Sequence, residues 1–307
     1  MTERCFQLSH KDQLLHCVAY IPEGEVRAVL QIVHGMVEYV ERYRDFAAFL
    51  CERGIAVVGH DHPGHGQTAK TEADLGYIDK KEGSELLVEC AAAVTERIKA
   101  DFCGVPRFIL GHSMGSFVLR RYLTRHSDKV NGAIVMGTAE QPLPVLIAGK
   151  GLASFIGALL GKRHRSKLLT DISFAGYNSR FDKAEGIHAW ISRDREIVKK
   201  YDADPYCTYT FTASAFYVLY DTIYALAKKR GFENIRKDIP VLVTAGENDP
   251  VGAYGKGPTA CADTFKALGL SDVTLTLYKD MRHEVLNEIG REEVYKDILN
   301  WLEDRMI

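Results

Sequence analysis

Short runs of apolar residues alternate along the chain with longer segments in which apolar residues return every three or four positions. Runs without polar interruption are typical of strands that are buried on both faces of a parallel sheet. Such runs predict strands at Ala28–His34, Ile55–Gly59, Arg107–Leu110, Ala133–Met136, Val241–Ala245 and Val273–Leu277. Two further runs, Cys5–Ser9 and Leu14–Ile21, flank a polar turn at residues 10–12 and predict a hairpin. The pattern therefore predicts eight strands in all.

The segments between the predicted strands have the periodicity of amphipathic helices. Residues Glu82–Ala100 place apolar side chains on one helical face, and a further amphipathic helix is predicted around Val294–Leu302. Another helical pattern ends at Gly54. Strands that alternate with helices form a mostly parallel sheet that carries helices on both faces. We therefore expect an α/β fold.

The alternation stops between residues 139 and 222, where no buried strand is predicted. A connection of that length without structure of its own is uncommon in a compact domain. We therefore predict that residues 139–222 form an inserted subdomain. Residues 1–138 and 223–307 would then form the α/β core.

Composition and charge narrow the class of protein. The chain has 307 residues, with 39 Lys and Arg against 41 Asp and Glu, a net charge of −2. This balance gives no basic face for nucleic acid, so no nucleic-acid partner is expected. The first residues are charged and lack the apolar core of a signal peptide. Seven scattered cysteines suit a reducing compartment. We expect a cytoplasmic protein.

One serine lies between two glycines where a strand pattern changes into a helix pattern, in GHSMG at residues 111–115. A nucleophile on such a tight turn takes a strained backbone conformation, and side chains two positions away would collide. The helix that begins after it points free backbone N–H groups at the reacting oxygen. We interpret Ser113 as a nucleophile. The alternative is a structural glycine turn.

A serine nucleophile needs a base and an acid that orients the base. After a serine on such a turn, the acid and then the histidine follow along the chain. His283 is the histidine that follows the last two predicted strands, so we predict that it is the base. The loop after Val241–Ala245 offers Glu247 and Asp249. We favour Asp249, because the proline after it holds a turn there.

Two backbone N–H groups are expected to form an oxyanion hole. One belongs to Met114, which follows the nucleophile, and the other to Met36 in the loop after the third strand. In the same loop, Glu38 and Arg42 are spaced for an ion pair that shapes the loop, although contact with a ligand is the alternative.

Two other motifs suggest cofactors and are set aside. The spacing of the histidines in HDHPGH resembles the start of a dinuclear metallo-hydrolase site and involves His60, His62 and His65. However, such a site would have an aspartate just before the last histidine, where this chain has Gly64. The glycine-rich GAYGKG at 252–257 is not followed by a βαβ unit, so it is no dinucleotide-binding loop. We expect no metal and no organic cofactor.

An apolar stripe at helical spacing lies in the insertion. Its members are Leu152, Phe155, Ile156, Leu159 and Leu160. We interpret it as a cap helix that is packed over the pocket and contacts substrate, and the alternative is a stripe that also meets a membrane. The basic run KRHRSK at 162–167 would then help to hold an anionic lipid surface.

Several motifs in one order resemble a known family. They are HGMVEYVERY (34–43), GHDHPGHGQT (59–68), GHSMGS (111–116), GENDPVG (246–252) and RHEVLNE (282–288), with SRD (192–194) in the insertion. Together they look like the monoacylglycerol lipase and lysophospholipase branch of the α/β-hydrolase fold. The resemblance implies an eight-stranded mostly parallel sheet and a helical cap inserted after the sixth strand. It also assigns Ser113, Asp249 and His283 as a triad. Met36 is bulkier than its counterpart in eukaryotic members of the family. In this respect the chain looks more like the bacterial lysophospholipase-like members.

The sequence therefore predicts a serine hydrolase that cleaves a carboxylic ester with a medium or long acyl chain. The same triad would also serve an esterase for aryl or acetyl esters, or an aminopeptidase. A binding protein without activity would have lost a member of the triad, and all three are present. The expected partners are a small acyl ester and, transiently, a lipid surface.

Overall fold

An eight-stranded sheet crosses the centre of the protein, whose computed structural model describes residues 1–306. The strands are β1 (Thr2–His10), β2 (Gln13–Ile21), β3 (Ala28–Val33), β4 (Ile55–His60), β5 (Arg107–His112), β6 (Gly132–Met136), β7 (Val241–Gly246) and β8 (Val273–Tyr278). Their order in the sheet is β1-β2-β4-β3-β5-β6-β7-β8. β2 is antiparallel to β1 and to β4, and the remaining pairs are parallel. The predicted fold class is confirmed.

Helices cover both faces of the sheet. They are α1 (Arg44–Cys51), α2 (Gly83–Asp101), α3 (Met114–His126), α4 (Leu143–Leu160), α5 (Lys167–Ser173), α6 (Arg195–Ala203), α7 (Ala213–Ala227), α8 (Lys256–Ala267) and α9 (Arg291–Glu303). In β5, Ile109 packs with the cluster of α2, α3, α7 and α8, while Leu110 packs with α1 and α9. Because successive side chains of a strand enter opposite layers, both are buried, and the strand has no polar interruption.

The connection between β6 and β7 contains α4, α5, α6 and α7, and the first three of these helices form the insertion with the loops around them. The predicted end of the insertion at residue 222 falls inside α7. This helix is continuous and packs against α2 and α3 of the core as well as against α4. This helix begins after Thr212, whose side chain caps it by accepting the Ala215 N–H.

By length and composition, α4 is the one helix in residues 1–306 that is apolar enough to cross a membrane. However, β6 before it and β7 after it are parallel neighbours in the sheet. Both ends of the connection are therefore fixed to the core, and a spanning position would break the sheet. We describe α4 as part of the cap.

Candidate active site

Ser113 lies on the turn between β5 and α3, with φ 52° and ψ −119°. The turn is tightly packed: a Cβ atom on Gly111 would lie 2.4 Å from the Gly115 carbonyl oxygen, and a Cβ atom on Gly115 would lie 1.9 Å from the Val33 carbonyl oxygen. Both glycines are therefore required by the packing. Ser113 itself is partly exposed, although the residues on both sides of it are buried.

His283 and Asp249 meet in the loops after β8 and β7. Their Nδ1 and Oδ2 atoms are 2.9 Å apart, and both side chains are buried. The other oxygen of Asp249 accepts the Val251 N–H at 2.9 Å. Because Nδ1 donates to the carboxylate, Nε2 is the nitrogen that can accept a proton. The alternative acid, Glu247, is exposed, so the structure brings Asp249 to the histidine.

No hydrogen bond joins the Ser113 hydroxyl to His283 among those of residues 1–306. Catalytic hydrogen bonds are often long without substrate and shorten in the complex. Two tilted rings lie next to the imidazole: that of His112, with a centroid distance of 4.8 Å, and that of Trp190, at 5.1 Å. The Trp190 carbonyl also accepts the His283 N–H at 3.3 Å. Sequence reasoning missed Trp190, whose only signal was the nearby SRD motif.

One predicted oxyanion donor follows this serine in sequence, and the other lies in the loop after β3. Met114 is the first residue of α3, so its N–H has no acceptor within the helix. Gly35 lies against the serine, since a Cβ atom on it would be 3.0 Å from the Ser113 Cβ. Within the described residues, neither Met36 nor Met114 donates its N–H to another group. Both N–H groups are therefore available to a ligand.

A buried carboxylate, that of Glu38, connects the loops of the site. One of its oxygens accepts hydrogen bonds from the Gly35 N–H, the Tyr43 hydroxyl at 3.1 Å and His112 Nδ1 at 2.9 Å. Its other oxygen accepts from Arg42 at 3.1 Å, which is the ion pair predicted from their spacing. Burial by itself would raise the pKa of Glu38, but His112 and Arg42 hold that pKa well below its usual value.

The insertion is attached to the histidine loop through another buried carboxylate. Glu288 accepts the Arg193 N–H at 3.0 Å, the Arg193 side chain at 2.9 Å and the Arg282 N–H at 2.8 Å. The Arg282 side chain in turn donates to the Ala189 carbonyl at 2.6 Å. The segment that contains SRD is thus held directly against the residues that precede and follow His283.

The histidines of HDHPGH are buried in a cluster with His34. Burial lowers the pKa of His60 and of His65 to about 4, and that of His34 to about 3, so these rings are neutral near pH 7. The metal-compatible group found in the described part of the chain includes none of them. It consists of His16, Glu41 and Asp61, whose ligand atoms lie within 4.8 Å of one another.

The Asp61 carboxylate is already used to shape the backbone. Its oxygens accept the Val40 N–H at 2.9 Å and the Gln67 N–H at 2.7 Å. Burial and the nearby Glu41 raise the pKa of Asp61 to about 7. His16 hydrogen-bonds Glu41 at 2.9 Å. Existing protein partners thus account for this group.

The predicted apolar stripe of α4 is divided between two environments. Ile156 is buried and Leu152 partly buried, and both belong to the apolar cluster that contains Met114 and borders Met36. The prediction of one packed face is wrong for Phe155, Leu159 and Leu160, which are 65%, 68% and 57% exposed. The reason is the orientation of the helix, whose buried side is formed by Leu146, Ala153 and Ile156.

The sheet order, the serine on its strand-to-helix turn and the helical insertion after β6 define an α/β-hydrolase. The chain belongs to the family described as serine aminopeptidase, S33, whose model matches residues 24–290. The chain is 26% identical over 288 residues to the monoacylglycerol lipase of Mycolicibacterium smegmatis, covering 92% of this chain and 90% of that one. It is 23% identical over 296 residues to the human monoglyceride lipase, covering 95% and 88%.

Solved structures share the fold over the whole chain. A thermostable carboxyl esterase from Bacillus coagulans, in complex with glycerol, has a TM-score of 0.90 at 24% identity and covers 100% of both chains. A monoglyceride lipase from Saccharomyces cerevisiae, in complex with a substrate analog, has a TM-score of 0.77 at 19% identity and covers 100% of this chain and 97% of that chain. The likeness extends through the insertion as well as the core.

Proposed function

We propose that the protein hydrolyses carboxylic esters through an acyl-enzyme formed on Ser113. The observation that carries this proposal is the partly exposed Ser113 on its strained turn, with the unpaired Met114 N–H after it and Gly35, the residue before Met36, against it. Strain at such a position is a feature of functional sites. The fold, the family and the curated monoacylglycerol lipase relatives support the same chemistry.

In the proposed mechanism, the Ser113 oxygen attacks the ester carbonyl carbon and His283 Nε2 takes the hydroxyl proton. Asp249 fixes the tautomer and stabilises the imidazolium. The Met36 and Met114 N–H groups hold the negative carbonyl oxygen of the tetrahedral intermediate. The bond to the leaving alcohol breaks as His283 returns the proton to it. Water then attacks the acyl-enzyme with His283 as base, which releases the acid and restores the serine.

We propose an acyl ester with a medium or long chain as the substrate. Leu152 and Ile156 belong to the apolar cluster that contains Met114 and borders Met36, which supports an apolar site for the acyl chain. An aminopeptidase needs an unpaired carboxylate to bind the amine. The carboxylates beside the base are paired: Asp249 with His283, and Glu284 with Arg42. This pairing favours an ester.

We propose that the exposed side of the cap contacts a lipid surface during catalysis. Large exposed apolar side chains are concentrated on α4 and α5: Val145, Ile147, Phe155, Leu159, Leu160, Leu168 and Ile172. The adjacent basic run contributes less charge than its sequence suggests, because Arg163 pairs with Asp74 and Lys167 with Asp171. Apolar contact would therefore carry the association.

We also propose a cytoplasmic location. All seven cysteines are free, as is usual for proteins of a reducing compartment.

A panel of substrates tests the proposed activity. We expect hydrolysis of p-nitrophenyl esters that increases from acetyl to decanoyl, hydrolysis of 1-monoacylglycerols, and no release from amino-acid p-nitroanilides. The Ser113→Ala variant is the control and should be inactive on every ester. Cleavage of the anilides with inert esters would assign a peptidase instead.

The lipid contact is tested separately with vesicles. The double variant Phe155→Ser with Leu159→Ser should bind vesicles less and hydrolyse monoacylglycerol in vesicles more slowly, while its rate on soluble acetyl ester stays the same. Ile289→Ser removes another exposed apolar side chain, 56% exposed and outside the cap, and should change neither. Equal effects of both variants would contradict a contact through the cap.

A further inference from the structure

The turn that presents the Met36 N–H contains a residue in an unfavourable conformation. Val37 has φ +55° and is buried. A β-branched residue rarely takes this left-handed conformation, because its Cβ atom crowds the backbone. Such a conformation persists only where surrounding contacts impose it. The contacts around residues 35–38 therefore decide whether the turn that carries the Met36 N–H keeps its conformation.

Three hydrogen bonds hold this turn. His34 Nδ1 donates to the Gly35 carbonyl oxygen at 2.8 Å, and the other two lie at the two ends of the turn. At the start, the Gly35 N–H donates to the side chain of Glu38. At the far end, the Tyr201 hydroxyl donates to the Val37 carbonyl oxygen at 3.0 Å. The Gly35–Met36 peptide, which supplies the proposed oxyanion donor, lies between these two points. Burial raises the pKa of Tyr201 well above its usual value, so the hydroxyl keeps the proton that it donates.

Tyr201 does not belong to the core. It lies on α6 of the insertion, 164 residues from Val37 in sequence, and is buried with its ring 5.0 Å from the Arg42 guanidinium. The neighbouring Tyr39 hydroxyl donates to Asp204, just after α6, at 2.7 Å. The insertion therefore holds the oxyanion turn through the backbone of Val37 and through the adjacent side chain of Tyr39.

We propose that Tyr201 is a positioning residue for the oxyanion hole, so that docking of the insertion on the core and correct placement of the Met36 N–H are one event. This inference rests on the proposed function. It gives α6 a role in catalysis that is separate from shaping the substrate pocket: when α6 moves away, the strained turn relaxes and the enzyme loses an oxyanion donor.

The test uses Tyr201→Phe, which keeps the ring and removes the hydroxyl. We expect kcat on a soluble acetyl ester to fall about tenfold with KM changed less than twofold, because the lost interaction acts on the transition state. A second substitution, Val37→Gly, should restore most of the lost kcat in the Tyr201→Phe background. Glycine takes a positive φ without steric cost, so the turn no longer depends on the tyrosine.

Tyr122→Phe is the matched control. It removes another buried tyrosine hydroxyl, which donates to Thr95 at 3.0 Å between α3 and α2. We expect a similar loss of thermal stability and an unchanged kcat. Hydrogen–deuterium exchange of residues 34–40 gives a readout that does not depend on activity. Exchange there should become faster in Tyr201→Phe than in wild type and should not change in Tyr122→Phe.

Three results would overturn the inference. Tyr201→Phe could change KM but not kcat, its kcat could stay low after the addition of Val37→Gly, or its hydrogen exchange at residues 34–40 could equal that of wild type. Failure of the proposed function has a different signature. In that case the wild type hydrolyses no ester, or Ser113→Ala is as active as wild type. The exchange measurement then still decides whether Tyr201 holds the turn.

Discussion

Arg42 and Glu284 form a buried ion pair in which both guanidinium–carboxylate distances are 2.7 Å. Arg42 follows the turn that carries Met36, and Glu284 follows His283, the proposed base, in sequence. Arg42 also donates a hydrogen bond to Glu38. Glu38 in turn accepts a hydrogen bond from His112, the residue before Ser113. The charged groups of this network therefore connect the three loops that carry the proposed oxyanion donor, nucleophile and base.

The charges of this network predict an order of stabilities. Arg42→Met leaves two buried carboxylates without their shared cation and should lower the free energy of unfolding by about 3–5 kcal/mol. Glu284→Gln leaves Arg42 paired with Glu38 and should cost about 1–3 kcal/mol. Urea unfolding at pH 7 measures both. A larger loss for Glu284→Gln would mean that the network does not work by charge balance.

The sheet could be predicted closely because its central strands are buried on both faces, which leaves an unmistakable pattern in the sequence. The predicted run Ala28–His34 is observed as Ala28–Val33, and Ile55–Gly59 as Ile55–His60. The contacts of Arg42 could be predicted only in part. Its pair with Glu38 is local, whereas Glu284 is 242 residues away and no spacing rule reaches it.

The orientation of α4 could not be predicted for a different reason. Nearly every position of this helix is apolar, so the pattern marks no single buried side. Packing against α7 selected the side with Ala153 and Ile156 and left Phe155 exposed. Tyr201 was missed because its role depends on the backbone of Val37 and not on any motif around Tyr201.

The acid of the triad can be assigned by a pair of variants. Asp249→Asn should lower kcat by about 10⁴, because His283 then takes the wrong tautomer. Glu247→Gln is the control: the side chain is exposed and its replacement should change kcat little. Esterase rates with a p-nitrophenyl ester measure both. The reverse order would assign the acid to Glu247.

The acyl chain is expected to contact the buried side of α4. The double variant Leu152→Ala with Ile156→Ala should reduce kcat/KM for decanoyl esters by one to two decades, since each methylene contact is worth about 0.8 kcal/mol. The rate on acetyl esters serves as the internal control and should stay close to wild type. Equal losses on both esters would show that these residues support the fold of the cap.

The lowered pKa of a buried histidine predicts that the protein loses stability in acid. The folded pKa of His60 is lowered to about 4 from 6.5, so its contribution to stability is complete above pH 6.5 and is lost as the pH falls toward 4. At pH 5 the difference between the folded and unfolded pKa lowers the free energy of unfolding by about 2 kcal/mol. His60→Phe should therefore lose less stability than wild type between pH 7 and pH 5 in urea unfolding.

The control for this experiment is His164→Gln, because His164 is exposed on the surface of the insertion. Its loss of stability between the two pH values should equal that of wild type. If His60→Phe showed the wild-type loss as well, the acid sensitivity would have to come from other groups.

The most direct test of the central claim is to label the nucleophile. After treatment with a fluorophosphonate, intact-mass measurement should show one adduct per chain, and peptide mapping should place it on Ser113. Ser113→Ala should remain unlabelled and lose esterase turnover by several orders of magnitude while keeping its thermal stability. An adduct on another residue, or wild-type turnover in Ser113→Ala, would contradict the account.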